Sequence, residues 1–228
     1  STGTLINLLV GFFVGLSSGA TVIISQHYGA NDPDGVSRSV HTAVAMSLLG
    51  GVALSVLGYL FTPLGLRMMN TPQDVVGGAT TYMRIYFIGV IFVLIYNIGS
   101  GILRAIGDSR RPLYVLIFCC LCNVVLDILF VKAFRMGVAG AAVATVITEA
   151  VSSLVLLVIL LRSRDSYRLI LRKIRLDLPL LGDILRIGFP AGLQSVMYAV
   201  SNVFIQTNIN AFGTDVVSGW TAYGKIDS

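Results

Sequence analysis

Three stretches of this chain constrain its fold more than anything else in it. Ser1 to Asn31, Ser39 to Leu66 and Ile187 to Thr214 contain no Asp, Glu, Lys or Arg. Each exceeds the roughly 20 apolar residues that cross a bilayer core as a helix. Only 12% of all residues are charged against 55% hydrophobic, and mean hydropathy is +0.85. A soluble domain carries about 25% charged residues, so a polytopic membrane protein is expected. The runs are long and unbroken rather than short and alternating, which points to helices and against a transmembrane barrel. The fold class expected is therefore an all-α polytopic membrane protein.

Turn signals divide the chain into six helices and the start of another. The first runs from about Thr4 to His27 and stops at Gly29-Ala30-Asn31-Asp32-Pro33-Asp34-Gly35. The second covers about Val36 to Phe61, and the third about Gln73 to Ile106, broken by Gly107-Asp108-Ser109-Arg110-Arg111-Pro112. The fourth spans Pro112 to Val131, with proline in a favourable first-turn position. The fifth spans about Gly137 to Leu161, and the sixth about Leu180 to Ala211, with a kink expected at Pro190. The chain starts inside an apolar run without Met and closes at Ile226-Asp227-Ser228. It reads as part of a longer transporter-like chain without a signal peptide.

Loop charge sets the expected orientation. Arg38, Arg104, Arg110, Arg111, Arg162, Arg164, Arg168, Arg172, Lys173, Arg175 and Arg186 fall on one side, and Arg67, Lys132 and Arg135 on the other. By the positive-inside rule the first group is cytoplasmic. The net charge of +5 is accounted for in this way, without nucleic acid as a partner. The one long connection, from Arg162 to Gly188, mixes basic and apolar residues at helical spacing over Tyr167 to Arg175. An interfacial amphipathic helix on an anionic leaflet is expected there.

Asp127 is the residue that asks for a function. It lies inside the fourth span, in Cys122-Asn123-Val124-Val125-Leu126-Asp127, where an ionised carboxylate is expensive and marks an ion or proton pathway by default. Asn123 is one turn away on the same face. Thr145 and Glu149 repeat the four-residue spacing on the fifth helix. Counted from the turn between Lys132 and Met136, Asn123 and Thr145 lie at equal depth, roughly 13 Å below the surface. Asn123, Asp127 and Thr145 can thus converge as oxygen and amide donors for a proton or a sodium ion, with Glu149 deeper. The alternative is ordinary interhelical hydrogen bonding.

Other features are weaker. Gln194, Tyr198, Asn202, Gln206 and Asn210 recur every fourth residue on the sixth helix, a face too polar for lipid and suited to lining a cavity. Gly11, Gly15 and Gly19 form a small-residue stripe for close helix packing. Arg84 is expected to snorkel toward the outer surface. Cys119, Cys120 and Cys122 have neither disulfide nor metal spacing. His27 and His41 are isolated and there is no P-loop, so neither catalysis nor ATP hydrolysis is supported.

Taken in order, Gly19-Ala20, Gln26-His27-Tyr28-Gly29-Ala30, Arg104-Ala105-Ile106-Gly107-Asp108-Ser109-Arg110-Arg111-Pro112, Asn123-x3-Asp127 and Gly137-Val138-x-Gly140-Ala141-Ala142-x-Ala144-Thr145 resemble the multidrug and toxic compound extrusion (MATE) family. The resemblance covers essentially the whole chain. It implies two pseudo-symmetric lobes of six helices, this chain running from the second helix to the start of the eighth. Residues 1–161 then belong to the amino-terminal lobe, 162–186 to a cytoplasmic linker between lobes, and 187–228 to the start of the carboxy-terminal lobe. In the DinF-like branch, residues matching Asn123, Asp127 and Thr145 join an Asp of the first helix, absent here, in a cation or proton site. The NorM-like branch uses an acid on the seventh helix, whereas Ile187 to Thr214 holds none. Asn202 is a neutral counterpart of the first-helix Asp in that reading.

The function implied is a secondary active antiporter of the bacterial inner membrane that exports amphipathic, often cationic compounds as protons or sodium flow inward. No enzyme activity and no cofactor beyond the coupling ion are expected, and the protein is expected to act as a monomer. The alternative is a lipid-linked oligosaccharide or peptidoglycan-precursor flippase of the same superfamily. A pyrophosphate headgroup calls for several basic residues in the central cavity, and Arg84 is the only one within these helices. A non-transporting scaffold would leave the polar stripes without a purpose.

Overall fold

A computed structural model describes residues 2–68 and 73–211, with side chains of 2–9, 65, 67, 68, 73–75, 202–204 and 206–211 outside that description. The expected start of a further helix after Ala211 lies outside the described residues. Within them the chain folds into α1 (Thr2–Gly29), α2 (Pro33–Met68), α3 (Gln73–Ala105), α4 (Arg110–Ile128), α5 (Gly137–Arg162) and α6 (Leu178–Ala211). Among the described residues, α1 to α5 each contain a segment long and apolar enough to span a membrane.

The turns follow local chemistry. Asn31 adopts the left-handed region (φ 54°) that ends α1, and Asp32 caps α2 through Oδ1, which accepts the Gly35 N–H at 2.9 Å. Pro33 fills the first helical position, where no donor is missed. Gly107 (φ +87°) ends α3, and Asp108 Oδ1 accepts the Arg111 N–H at 3.2 Å to open α4. The fourth span does not stay α-helical to its end. Leu129–Ala133 forms a π-helical turn directly after Asp127 and Ile128, a widening often found at functional sites.

α3 is the central helix, packed against α1, α2 and α5, with 61% of its spanning window buried. α4 lies at the edge on α5, with only 11% buried, and presents Tyr114, Phe118, Leu121 and Val125 outward. That is the apolar face a bilayer or a further helix covers. α6 packs along α1 through facing glycines. A Cβ at Gly15 would lie 2.4 Å from Gly192 Cα, and one at Gly19 would lie 2.4 Å from the Ile184 carbonyl oxygen. The small-residue stripe therefore brings two backbones together.

The expected amphipathic helix over Tyr167 to Arg175 is not formed. The segment opens with a turn in which the Arg168 N–H donates to the Asp165 carbonyl at 2.9 Å, and otherwise carries only a 3-10 turn at Leu171–Lys173. Tertiary contacts outcompete a short helix here: Tyr167 and Leu169 are buried against the helices, and the Leu169 N–H donates to the Leu160 carbonyl at 3.1 Å. The Ile170 N–H donates to His41 Nε2 at 3.0 Å, and the Asp177 N–H to Thr42 Oγ1 at 3.3 Å. Arg38 donates to Asp177 Oδ2 through Nε (2.9 Å) and Nη2 (2.6 Å).

The Arg38 guanidinium chiefly holds the Asp177 carboxyl below the ordinary carboxylate range. A depressed value means the link is fully present above that range and is lost as pH falls through the lower folded value. Hydrogen exchange of the linker amides is therefore expected to stay slow down to the ordinary aspartate range and to accelerate only below it. In Arg38→Gln the acceleration is expected at higher pH.

Candidate functional site

The site is built on the α4–α5 hairpin. Asn123 Nδ2 donates to Thr148 Oγ1 at 3.3 Å, and the Thr148 hydroxyl is itself anchored to the Ala144 and Thr145 carbonyls (3.0 and 2.9 Å). A cavity of about 320 Å³ opens beside this bond, lined by Asn123, Thr145, Thr148, Glu149, Cys119 and Cys120 among others. Asn123 and Thr145, expected at one depth, share its wall. The cross-helix bond nonetheless goes to Thr148, which the spacing count passed over.

Side-chain direction explains the choice. Helical side chains tilt toward the N-terminus of their own helix. In an antiparallel hairpin Asn123 therefore leans away from the connecting turn, and a residue of α5 leans back toward it. The partner at the level of Asn123 is one turn further along α5 than counting Cα positions suggests. Thr145 turns its hydroxyl to the Ala141 carbonyl of its own helix at 3.0 Å.

Thr148→Val is accordingly expected to destabilise the hairpin by about 0.6–2 kcal/mol, the range for interhelical bonds in membranes. Thr145→Val, which breaks no cross-helix bond, is expected to leave the thermal midpoint nearly unchanged.

Asp127 stands one turn beyond Asn123 and does not line the cavity. It is half-buried, and its Oδ1 is inaccessible with no hydrogen-bond partner among the described residues. An acceptor left open at this depth is what a proton or a hard cation would satisfy. Glu149, half-buried and deeper, lies within electrostatic reach of Tyr86 and Tyr96 on α3. Among the described residues no group of three or more His, Cys, Asp or Glu converges as a metal site. Asn123 and Thr145 thus share the cavity wall, while Asp127 stands one turn outside it.

The α6 stripe is not brought to this cavity. Gln194 is exposed and Tyr198 is 65% exposed, while Asn202 and Gln206 have side chains outside the described residues. Arg84 is held rather than free, its guanidinium 5.0 Å from the centre of the Tyr59 ring.

The family model MatE matches residues 2–129, more than half of the chain and including Asn123 and Asp127. The chain belongs to the MatE family. MatE relatives extend the likeness to the rest of it. The probable multidrug resistance protein YpnP of Bacillus subtilis (strain 168) is 33% identical over 227 residues, covering 100% of this chain and 51% of the relative. For YoeA of the same strain, also a probable multidrug resistance protein, the values are 32%, 96% and 48%. This chain thus spans about half the length of the curated MatE relatives it matches. A multidrug resistance MATE family transporter of the MOP superfamily, solved in an outward-facing conformation, superposes with a TM-score of 0.89 at 28% identity. That match covers 99% of this chain and 51% of that one. The inward-facing conformation of such a transporter superposes at 0.83. As a MatE member the chain is part of a multi-pass inner-membrane protein, and the all-helical fold agrees with those structures.

Proposed function

We propose that the protein containing this chain is a secondary active multidrug antiporter, in which inward flow of protons or sodium drives export of amphipathic, cationic small molecules. One observation carries the coupling role: Asp127 offers an unpartnered, inaccessible Oδ1 one turn from an amide that bridges α4 to α5. Loading that carboxyl from outside with a proton or cation removes or balances a charge at the hairpin and changes how α4 packs on α5. The π turn that follows Asp127 gives α4 a point where its hydrogen-bond ladder can shift. Alternating access between lobes is supported by the likeness to transporters solved facing either side of the membrane. The names of the relatives support drug-like substrates.

The test uses the full-length protein in proteoliposomes loaded with ethidium, with pH and sodium gradients imposed separately. One of the two is expected to drive efflux, and that one identifies the coupling ion. Efflux indifferent to both gradients overturns the reading.

A further inference from the structure

A second cavity, of about 500 Å³, lies at the opposite, basic end of the bundle, between the start of α2 and the linker that precedes α6. Its charge is unbalanced. Arg38 is committed to Asp177, which leaves Arg172, Lys173 and Arg175 in the lining against the single carboxylate of Asp34. None of these three cations forms an ion pair among the described residues.

The basic wall is held in place rather than draped over the surface. Leu169 is 1% exposed, and the Ile170 N–H is received by His41, a residue 2% exposed whose Nδ1 donates to the Ser37 carbonyl. Asp177 closes the other end through Arg38 and Thr42. The 3-10 turn Leu171–Lys173 between these anchors thus presents its two basic side chains to the cavity from an anchored backbone. Three unpaired cations in one concave, preformed site suit a phosphate group, whose oxygens accept several charge-assisted hydrogen bonds at once.

The surroundings distinguish a lipid from a soluble phosphate. Leu171 and Leu178, flanking the basic residues on the same segment, are 64% and 72% exposed, and Leu176 is exposed beside them. Large apolar side chains interleaved with Arg and Lys at a membrane face are suited to acyl chains below and headgroups above. We propose that this cavity binds the phosphate of an anionic phospholipid, with the leucines against its acyl chains, and that the lipid fastens the linker to α2.

The full-length protein, taken from vesicles of equal parts phosphatidylglycerol and phosphatidylcholine, is examined for retained lipid by native mass spectrometry. Wild type is expected to retain phosphatidylglycerol in preference to phosphatidylcholine. The pair Arg172→Gln and Arg175→Gln is expected to weaken that retention about five-fold for each basic side chain removed. The pair Arg164→Gln and Arg168→Gln removes the same charge from the same linker but outside the cavity, and is expected to leave retention unchanged. Equal loss in both pairs means diffuse attraction and overturns the site, as does equal retention of the two lipids. A second arm measures inorganic phosphate binding in detergent without lipid. Phosphate bound at Arg172 and Arg175 with no preference for phosphatidylglycerol reassigns the cavity to a soluble ligand and overturns the lipid.

Discussion

Replacing Gly15 by alanine is expected to destabilise the full-length protein by about 1–3 kcal/mol, although it adds only a methyl group. In most helix interiors the same change is stabilising by roughly 0.5–1 kcal/mol, because glycine has more freedom to lose on folding. Gly15 reverses the sign because the new carbon would meet Gly192 Cα and N at 2.4 Å, and backbone cannot rotate away as a flexible side chain can. α1 and α6 must separate, and the Gly19–Gly188 contact one turn along is strained with them. Gly78, on α3 with nothing within 4 Å of an added Cβ, is the control. Gly78→Ala is expected to be neutral or stabilising. An unchanged melting temperature for Gly15→Ala, measured beside Gly78→Ala, contradicts the backbone contact between α1 and α6.

The second large effect is on transport with the fold kept. Asp127→Asn preserves shape and volume and removes only the ability to carry charge and release a proton. An unpaired ionisable group within a membrane span is unfavourable, so its removal is expected to hold or raise the thermal midpoint. Ion-driven efflux is nevertheless expected to disappear. A purely structural Asp127 predicts the opposite pairing, with transport kept and stability lowered.

Much of this was legible in the sequence for one physical reason: a bilayer forces backbone hydrogen bonds to be satisfied within each segment, so charge-free runs become helices wherever they occur. Asn31-Asp32-Pro33 and Gly107-Asp108 carried their own turn chemistry and ended helices near the expected places. The π turn at Leu129–Ala133 was not legible, because no residue there differs in propensity from an ordinary helix end. The linker misled for another reason. Its basic-apolar alternation matches an interfacial helix, while the contacts that keep it from forming one, Ile170 to His41 and Asp177 to Arg38 and Thr42, join residues far apart in the chain. The basic cavity could not be read for the same reason, since Arg38 and Arg172 meet only after folding.

In the cavity wall, spacing anticipated Asn123, Thr145 and Glu149 but overlooked Thr148, and it grouped Asp127 with them although Asp127 lies outside that wall. Periodicity alone treats the Cα position as the contact point, and the tilt of side chains along a helix moves that point by about one turn across an antiparallel pair. A threonine three residues after Thr145 was visible in the sequence, and adding the tilt selects it. The hydroxyl of Thr148 and the amide of Asn123 that donates to it then form the frame beside which Asp127 stands.

The proposed role of Asp127 is to couple an ion to substrate movement. It is tested most directly by ion flux in proteoliposomes holding the full-length protein, with ethidium added on one side and the flux of protons and of sodium recorded as it exchanges. Wild type is expected to move one of these ions against the ethidium it transports. Asp127→Asn, inserted and folded to the same extent, is expected to let ethidium run down its own gradient with no accompanying ion movement. Undiminished ethidium-dependent ion flux in Asp127→Asn contradicts the account.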